Sequence, residues 1–233
     1  WGDGEALVEM VRLTGNREGF GQVLAGGSYR VAERYGHPEL SMTAKKQEFA
    51  GYDPRGEQGM GLAYATSPIG GSHMRGDPAY SEIFGTITKL DPLVWEGKAS
   101  LVKTSQDLSC IIDSAGLCIF FAARCLINTD LDMHPEGIRQ YLNTATGVDY
   151  SLAELMASGE RIFQAERLFL NGAGFFRESD TLPPRMLGEP LPGGPGRGQV
   201  CHLKNMIEEY YPLRGWTAEG RPTLETLERL GLA

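Results

Sequence analysis

The stretch from Pro92 to Leu117 constrains this chain more than any other. Apolar or small residues recur at Ala99, Leu101, Val102, Leu108, Ile111 and Ile112, and that spacing predicts one long helix. The pattern closes in Ile112-Asp113-Ser114-Ala115-Gly116-Leu117-Cys118. This closing run carries a carboxylate, a glycine and a thiol. The carboxylate can accept hydrogen bonds from an N–H-rich ligand. The glycine can leave the helix with positive φ and let the backbone approach a cofactor. The thiol can ligate a metal as thiolate. On an unbroken helix Asp113 and Cys118 would lie about 140° apart, so a turn at Gly116 is the simplest way to aim both at one object. The competing reading is a buried, inert cysteine.

The rest of the chain offers helical patterns to pack against this one. Asp3 N-caps a helix through Thr14 carrying Ala6, Leu7, Met10, Val11 and Leu13. Short helices follow at Phe20 to Leu24 and Tyr29 to Tyr35, the second ended by Gly36-His37-Pro38. His37 there reads as a capping or surface group. Leu40 to Gly51 has mixed polarity, as a linker or domain junction would. Gln58 to Ser67 is small and apolar, and Gly59 and Gly61 point to close packing against another backbone or a ligand. The loop Thr66 to Gly76 holds three glycines, two serines, His73 and Arg75: many donors and little bulk, either a functional loop or a plain connection. Tyr80 to Phe84 is a short helical piece.

Lys103, Gln106 and Asp107 share a helix face and read as a solvated or salt-bridged stripe. Ile119 to Leu126 is apolar and expected inside. His134-Pro135 opens a helix ending near Thr146-Gly147. Ser151 and Glu154 form a capping box ahead of a core stripe of Leu155, Met156, Ile162, Phe163 and Phe169 that reaches Asn171-Gly172. From Arg177 to Gln199 proline and glycine dominate, predicting an extended surface crossing or mobile loop. Helices from His202 to Tyr211 and from Pro222-Thr223 to Gly231 complete the chain. About ten helical segments and no convincing strand pair make the expected fold all-α.

The 233 residues suffice for one large or two small domains. The first residue is Trp1, so the chain reads as a piece of a longer polypeptide. No apolar run is long enough to span a membrane. Four cysteines in such a length do not make a disulfide framework, which points to a reducing, cytoplasmic setting. The net charge of −8, with both signs interspersed, argues against nucleic acid as partner. The cysteines at 110, 118, 125 and 201 make no C-x2-C pair, and Cys118 and Cys125 would stand about 10 Å apart along a shared helix axis. Neither a four-cysteine cluster nor a zinc site is readable, and no P-loop, dinucleotide fingerprint or nucleophile–base motif occurs. Cys118 can be only one ligand of a site completed elsewhere.

Several separate motifs, in matching order, resemble the aldehyde ferredoxin oxidoreductase family of tungsten–pterin enzymes. They are Tyr52-Asp53-Pro54-Arg55, Gly59-Met60-Gly61-Leu62-Ala63-Tyr64-Ala65-Thr66-Ser67, Asp113-Ser114-Ala115-Gly116-Leu117-Cys118, Gly159-Glu160-Arg161-Ile162, Glu166-Arg167-Leu168-Phe169, Asp180-Thr181-Leu182-Pro183 and Tyr210-Tyr211-Pro212-Leu213-Arg214-Gly215-Trp216. The resemblance is to the C-terminal part of the family. It implies the tail of a first helical domain over residues 1–45 and a C-terminal helical domain with the pterin and cluster motif over residues 46–233. It implies that Asp113 meets pterin N–H groups, with Gly116 and Leu117 beside it. Cys118 would be the fourth ligand of a [4Fe-4S] cluster whose other cysteines lie outside this chain.

By the same resemblance His73 lies near the metal, donating a proton or hydrogen bond to the substrate oxygen. Arg75 is a candidate for the anionic pterin phosphate or for substrate. The implied cofactors are a tungsten (or molybdenum) bis-pterin and the [4Fe-4S] cluster. The implied reaction takes an aldehyde to a carboxylate, with electrons passing through the cluster to ferredoxin. The implied partners are the N-terminal half of the same protein, ferredoxin and a small aldehyde, with a homodimer left open and neither nucleic acid nor membrane. The isolated chain is expected to be inactive. Two alternatives stand beside this: the tungsten subunit of a benzoyl-CoA reductase-type aromatic-ring reductase, and a cofactor-free helical scaffold or interaction domain.

Overall fold

The computed structural model describes residues 2–85, 89–120, 122 and 135–233. Asp3 accepts hydrogen bonds from the N–H groups of Glu5 and Ala6 and so starts α1 (Gly4–Asn16), an N-cap that satisfies two otherwise orphaned donors. Two short helices follow, α2 (Gly21–Leu24) and α3 (Ser28–Arg34). The stretch read as a linker or domain junction holds a minimal antiparallel hairpin, β1 (Thr43–Ala44) and β2 (Gln47–Glu48). Its turn residues Lys45 and Lys46 have φ of 47° and 67°. Lysines rarely adopt such values, which is why the turn carries no sequence signature. Tertiary contacts hold it: Lys45 Nζ lies 3.0 Å from Asp180 Oδ1, both side chains buried.

All nine residues of α4 (Gln58–Thr66) are buried. A Cβ on Gly59 would come within 2.7 Å of Glu82 Oε2, and one on Gly61 within 2.5 Å of Cys201 Sγ. The two glycines therefore serve close packing, as their placement in the sequence implied, but against the Glu82 and Cys201 side chains rather than a backbone or a ligand. Gln58 ties α4 to the distant chain, donating to the Val200 carbonyl at 2.9 Å and accepting from the His202 N–H at 2.8 Å. After α5 (Ala79–Glu82) comes the long helix, α6 (Lys98–Ser114). It is shorter at both ends than its apolar pattern. Gly97, with φ of 76°, breaks the backbone before it, and the turn at Gly116 closes it.

α7 (Pro135–Thr146) and α8 (Leu152–Gly172) lie beyond. His134, Cys125 and much of the apolar run from Ile119 to Leu126 fall outside the described residues. The Ser151–Glu154 capping box is present with both hydrogen bonds. α8 packs along α6, and Gly159 permits the approach, because a Cβ there would overlap the Asp107 carbonyl. The proline-rich segment is more structured than expected. It contains a 3-10 turn at Arg177–Ser179 and α9 (Pro184–Gly188). Its glycine-rich tip is closed by Leu191 N–H to Gln199 O and Gly198 N–H to Leu191 O, both 2.9 Å. α10 (Leu203–Arg214) and α11 (Leu224–Leu230) end the fold, each stopped by a left-handed glycine, Gly215 and Gly231.

The larger core joins α4, α6, α8 and α10 through Met60, Leu62, Val102, Phe163, Met206, Tyr210 and Trp216. A smaller one gathers Leu108, Ile111, Ile112, Ala122, Ile138 and Leu155, with Leu117 packed on its edge. Between them runs a buried polar spine. The Lys103–Gln106–Asp107 face, expected to be solvated or salt-bridged, is part of it: it is salt-bridged, Lys103 Nζ lying 2.9 Å from Asp107 Oδ2, but not solvated, since Gln106 and Asp107 are 1% and 3% exposed. Arg214, wholly buried, is ion-paired to Asp107 and donates to Gln106 Oε1 at 2.8 Å and to the Tyr210 hydroxyl at 2.8 Å. Arg167 is buried in the same manner. It donates to Asp180 Oδ1 at 3.0 Å and to the Gly220 carbonyl at 2.8 Å, and it stacks 4.2 Å from the Trp216 ring.

Candidate functional site

Asp113 and Gly116 meet at the end of α6. The Gly116 N–H bonds the Asp113 carbonyl at 3.1 Å and the Leu117 N–H bonds the Ile112 carbonyl at 3.0 Å, the paired bonds of a Schellman ending. Gly116 has φ of 68°, and a Cβ there would meet nothing within 4 Å. Leu117 turns inward to the smaller core. Cys118 is exposed and free. The turn expected at Gly116 is thus present, and it leaves a carboxylate, an open backbone and a thiol at one helix end.

The loop carrying His73 and Arg75 is clamped at both ends. Gly70 and Gly71 sit against the hairpin, where side chains would collide with the Ala44 and Gln47 carbonyls, and the Gly71 N–H bonds Ala44 O at 3.2 Å. Gly76, with φ of 95°, sits on Gln106 of α6. Glycine is needed at these approaches, since any side chain would displace the loop. The span between is aimed at the end of α6. Arg75 Nη1 donates to Asp113 Oδ2 at 2.6 Å and lies 3.9 Å from Glu166 Oε1. His73 packs its ring 5.7 Å from that of Tyr52.

Behind the loop lies a cluster of acids the sequence reading did not single out. Burial pushes the Glu57 carboxyl up to about 8, aided by the neighbouring charges of Glu82 and Asp77. Burial also raises Asp77, against the pull of His73. Glu82 is raised by burial despite Lys98, whose Nζ lies 2.6 Å from its Oε1. Tyr80 is raised by burial and then by the charges of Asp77, Tyr52 and Cys118, which puts these groups in one neighbourhood. One sequence signal could have flagged Glu57: a carboxylate directly ahead of a helix that is apolar or small almost throughout. Glu166 lies in one of the family motifs, but nothing local in α8 pointed to its place beside Arg75.

Beside this cluster, Asp77, Tyr80 and Ser81 meet Leu101, Leu108 and Ile112 around a cavity of about 420 Å³, lined largely by apolar atoms. The donor set for metal is thin. Among the described residues no group of three or more His, Cys, Asp and Glu side chains could hold a metal ion. Cys110 and Cys201 are buried, and burial pushes both thiols up to about 12. They are inert beside Cys118.

A family model described as aldehyde ferredoxin oxidoreductase, domains 2 and 3, matches residues 1–232. The chain belongs to the aldehyde ferredoxin oxidoreductase family. Over its full length it is 46% identical to the tungsten-containing aldehyde ferredoxin oxidoreductase of Pyrococcus furiosus and 45% identical to that of Thermococcus kodakarensis. It spans 38% of the length of each of these relatives. A more distant relative in Pyrococcus furiosus, 27% identical, is the WOR-like subunit of an aliphatic sulfonate oxidoreductase. The active-site complex of benzoyl coenzyme A reductase, solved with 1,5-dienoyl-CoA, superposes with a TM-score of 0.70 over 96% of this chain and 38% of that one, at 20% identity. At that identity the likeness establishes the shared helical fold. Among the described residues no helix is long and apolar enough to cross a membrane.

Proposed function

We propose that this chain is the C-terminal part of a tungsten–pterin aldehyde oxidoreductase. The observation that carries the reading is the end of α6: a half-exposed Asp113 carboxylate, an open Gly116 and an exposed Cys118, in a chain 46% identical throughout to a tungsten-containing relative. These residues suit the edge of a pterin. A carboxylate accepts N–H donors in pairs, and the uncrowded glycine leaves room beside it. They suit a cluster only in part. Among the described residues one thiol, Cys118, is exposed where four are needed, so the remaining ligands would come from the N-terminal half of the parent protein. We place the boundary between the two helical domains near residues 45–46.

When bound, the tungsten–pterin group supplies the two-electron chemistry that takes an aldehyde to a carboxylate. This chain's own groups orient and handle protons. His73, held against Tyr52, would hydrogen-bond the substrate oxygen. Asp113 fixes the pterin edge. Cys118 would be one ligand of a [4Fe-4S] cluster, which would supply the route for electrons to ferredoxin.

Metal and pterin analysis tests the reading, comparing the anaerobically purified chain with the parent polypeptide. Tungsten, iron and pterin should be stoichiometric in the parent and absent from the isolated chain. Aldehyde oxidation with a viologen acceptor should follow the same split. Turnover of aromatic acyl-CoA in place of aldehyde would move the assignment to the ring reductases, whose fold this chain shares.

A further inference from the structure

Arg75 stands between two carboxylates on different helices. Its Nη1 is 2.6 Å from Asp113 Oδ2 on α6 and 3.9 Å from Glu166 Oε1 on α8. Among the described residues, Asp113 takes its one hydrogen bond. Glu166 holds the complementary deficit: its Oε2 is buried and, among the described residues, has no hydrogen-bond partner. A buried carboxylate oxygen left unpaired costs free energy. Burial and the nearby Asp113 charge push the Glu166 carboxyl up, while Arg75 pulls it down. The triad is asymmetric, with one acid served and the other waiting on the same guanidinium.

A pterin edge that engages Asp113 needs the oxygens that Arg75 now holds. The guanidinium has five donors in a planar fork, and a small swing brings it onto Glu166. We propose that Glu166 is a positioning residue for the cofactor site: it is the acceptor that takes Arg75 when Asp113 turns its carboxylate to the pterin. Glu166 keeps the positive charge beside the site and frees Asp113 from it. Without Glu166, Arg75 stays on Asp113 and competes with the cofactor. The inference rests on the reading that Asp113 meets the pterin.

The test uses the parent polypeptide, produced anaerobically with tungstate, and measures pterin and tungsten per protein and the rate of pterin release. Wild-type protein must first contain pterin; if it does not, the underlying reading fails and this inference goes with it. Glu166→Gln should release pterin about tenfold faster, the size of effect usual for groups that orient a cofactor ligand, while Glu166→Asp retains at least half the wild-type content. Because Glu166 acts through Arg75, Glu166→Gln should have no further effect in an Arg75→Gln background. Wild-type release rates in Glu166→Gln overturn the proposal. So does an undiminished effect of Glu166→Gln when Arg75 is absent, which would mark a purely structural role. Should Glu166→Gln not fold, Glu166→Ala compared with and without Arg75→Gln carries the same comparison.

Discussion

Replacing Arg214 by methionine tests the buried polar spine. Methionine keeps the unbranched stem and removes the charge. Arg214 is wholly buried, ion-paired to Asp107, bonded to Gln106 and Tyr210, and stacked 4.0 Å from the Phe163 ring. Breaking a buried pair from one side costs about 3–5 kcal/mol, because it strands the other charge. Here Asp107 keeps Lys103 at 2.9 Å, which puts the loss near the lower end, about 3 kcal/mol. For 233 residues the unfolding entropy is roughly 0.5 kcal/mol/K, so the melting point should fall by about 6 °C. Adding Asp107→Asn removes the stranded charge. The double variant Asp107→Asn/Arg214→Met should therefore be more stable than the sum of the two single losses predicts. Thermal and urea melts of all four proteins measure this. A loss below about 1 kcal/mol in Arg214→Met, or strict additivity, would refute the claim that these groups form one coupled network.

Glu57 ionises near 4.5 in the unfolded chain and is raised to about 8 in the fold. Its contribution to stability is thus complete below pH 4.5 and is lost as pH rises towards 8. Glu57→Gln should flatten that decline, worth on the order of a few kcal/mol; denaturation midpoints at pH 5 and pH 8 that differ as much in the variant as in wild type would sink the assignment. Gly159→Ala should destabilise by about 2 kcal/mol, because its methyl overlaps the Asp107 carbonyl where α8 crosses α6; an unchanged melting point would show that the helices can part at no cost. Cys118→Ala in the parent protein should lose iron while Cys110→Ala and Cys201→Ala keep it, and elemental analysis reading full iron in Cys118→Ala would remove the ligand role. His73→Asn should keep tungsten and iron and lower turnover by about 10²-fold or more, whereas near-normal turnover would leave His73 with packing alone.

What could be read from sequence was local. The Ser151–Glu154 box, the Gly116 turn and the stop at Gly231 each involve residues a few positions apart, so their chemistry is complete within a short window. The paired approach of Gly59 and Gly61 could also be anticipated, since two glycines in a buried helix have few other uses. The family motifs extended this to Asp113 and Cys118, and the structure sets both at the exposed end of α6. The reading erred where exposure was inferred from residue type. Phe169, expected in the core stripe, is 77% exposed. Lys103, Gln106 and Asp107 form the salt-bridged face that was one of the two readings, yet Gln106 and Asp107 are inside because Arg214, 107 residues beyond Asp107, comes back to pair with them.

The sequence by itself determined the longer helices, several of their caps and the identity of the groups at the end of α6, because hydrogen-bond spacing and glycine's freedom act over a single turn. Only the tertiary structure decided that Lys45 reaches Asp180, that Glu57 is buried among acids, and that Arg75 sits between Asp113 and Glu166. Those are charge pairings between segments far apart in the chain. Their energy depends on burial and on distances of a few ångströms, which no local pattern encodes.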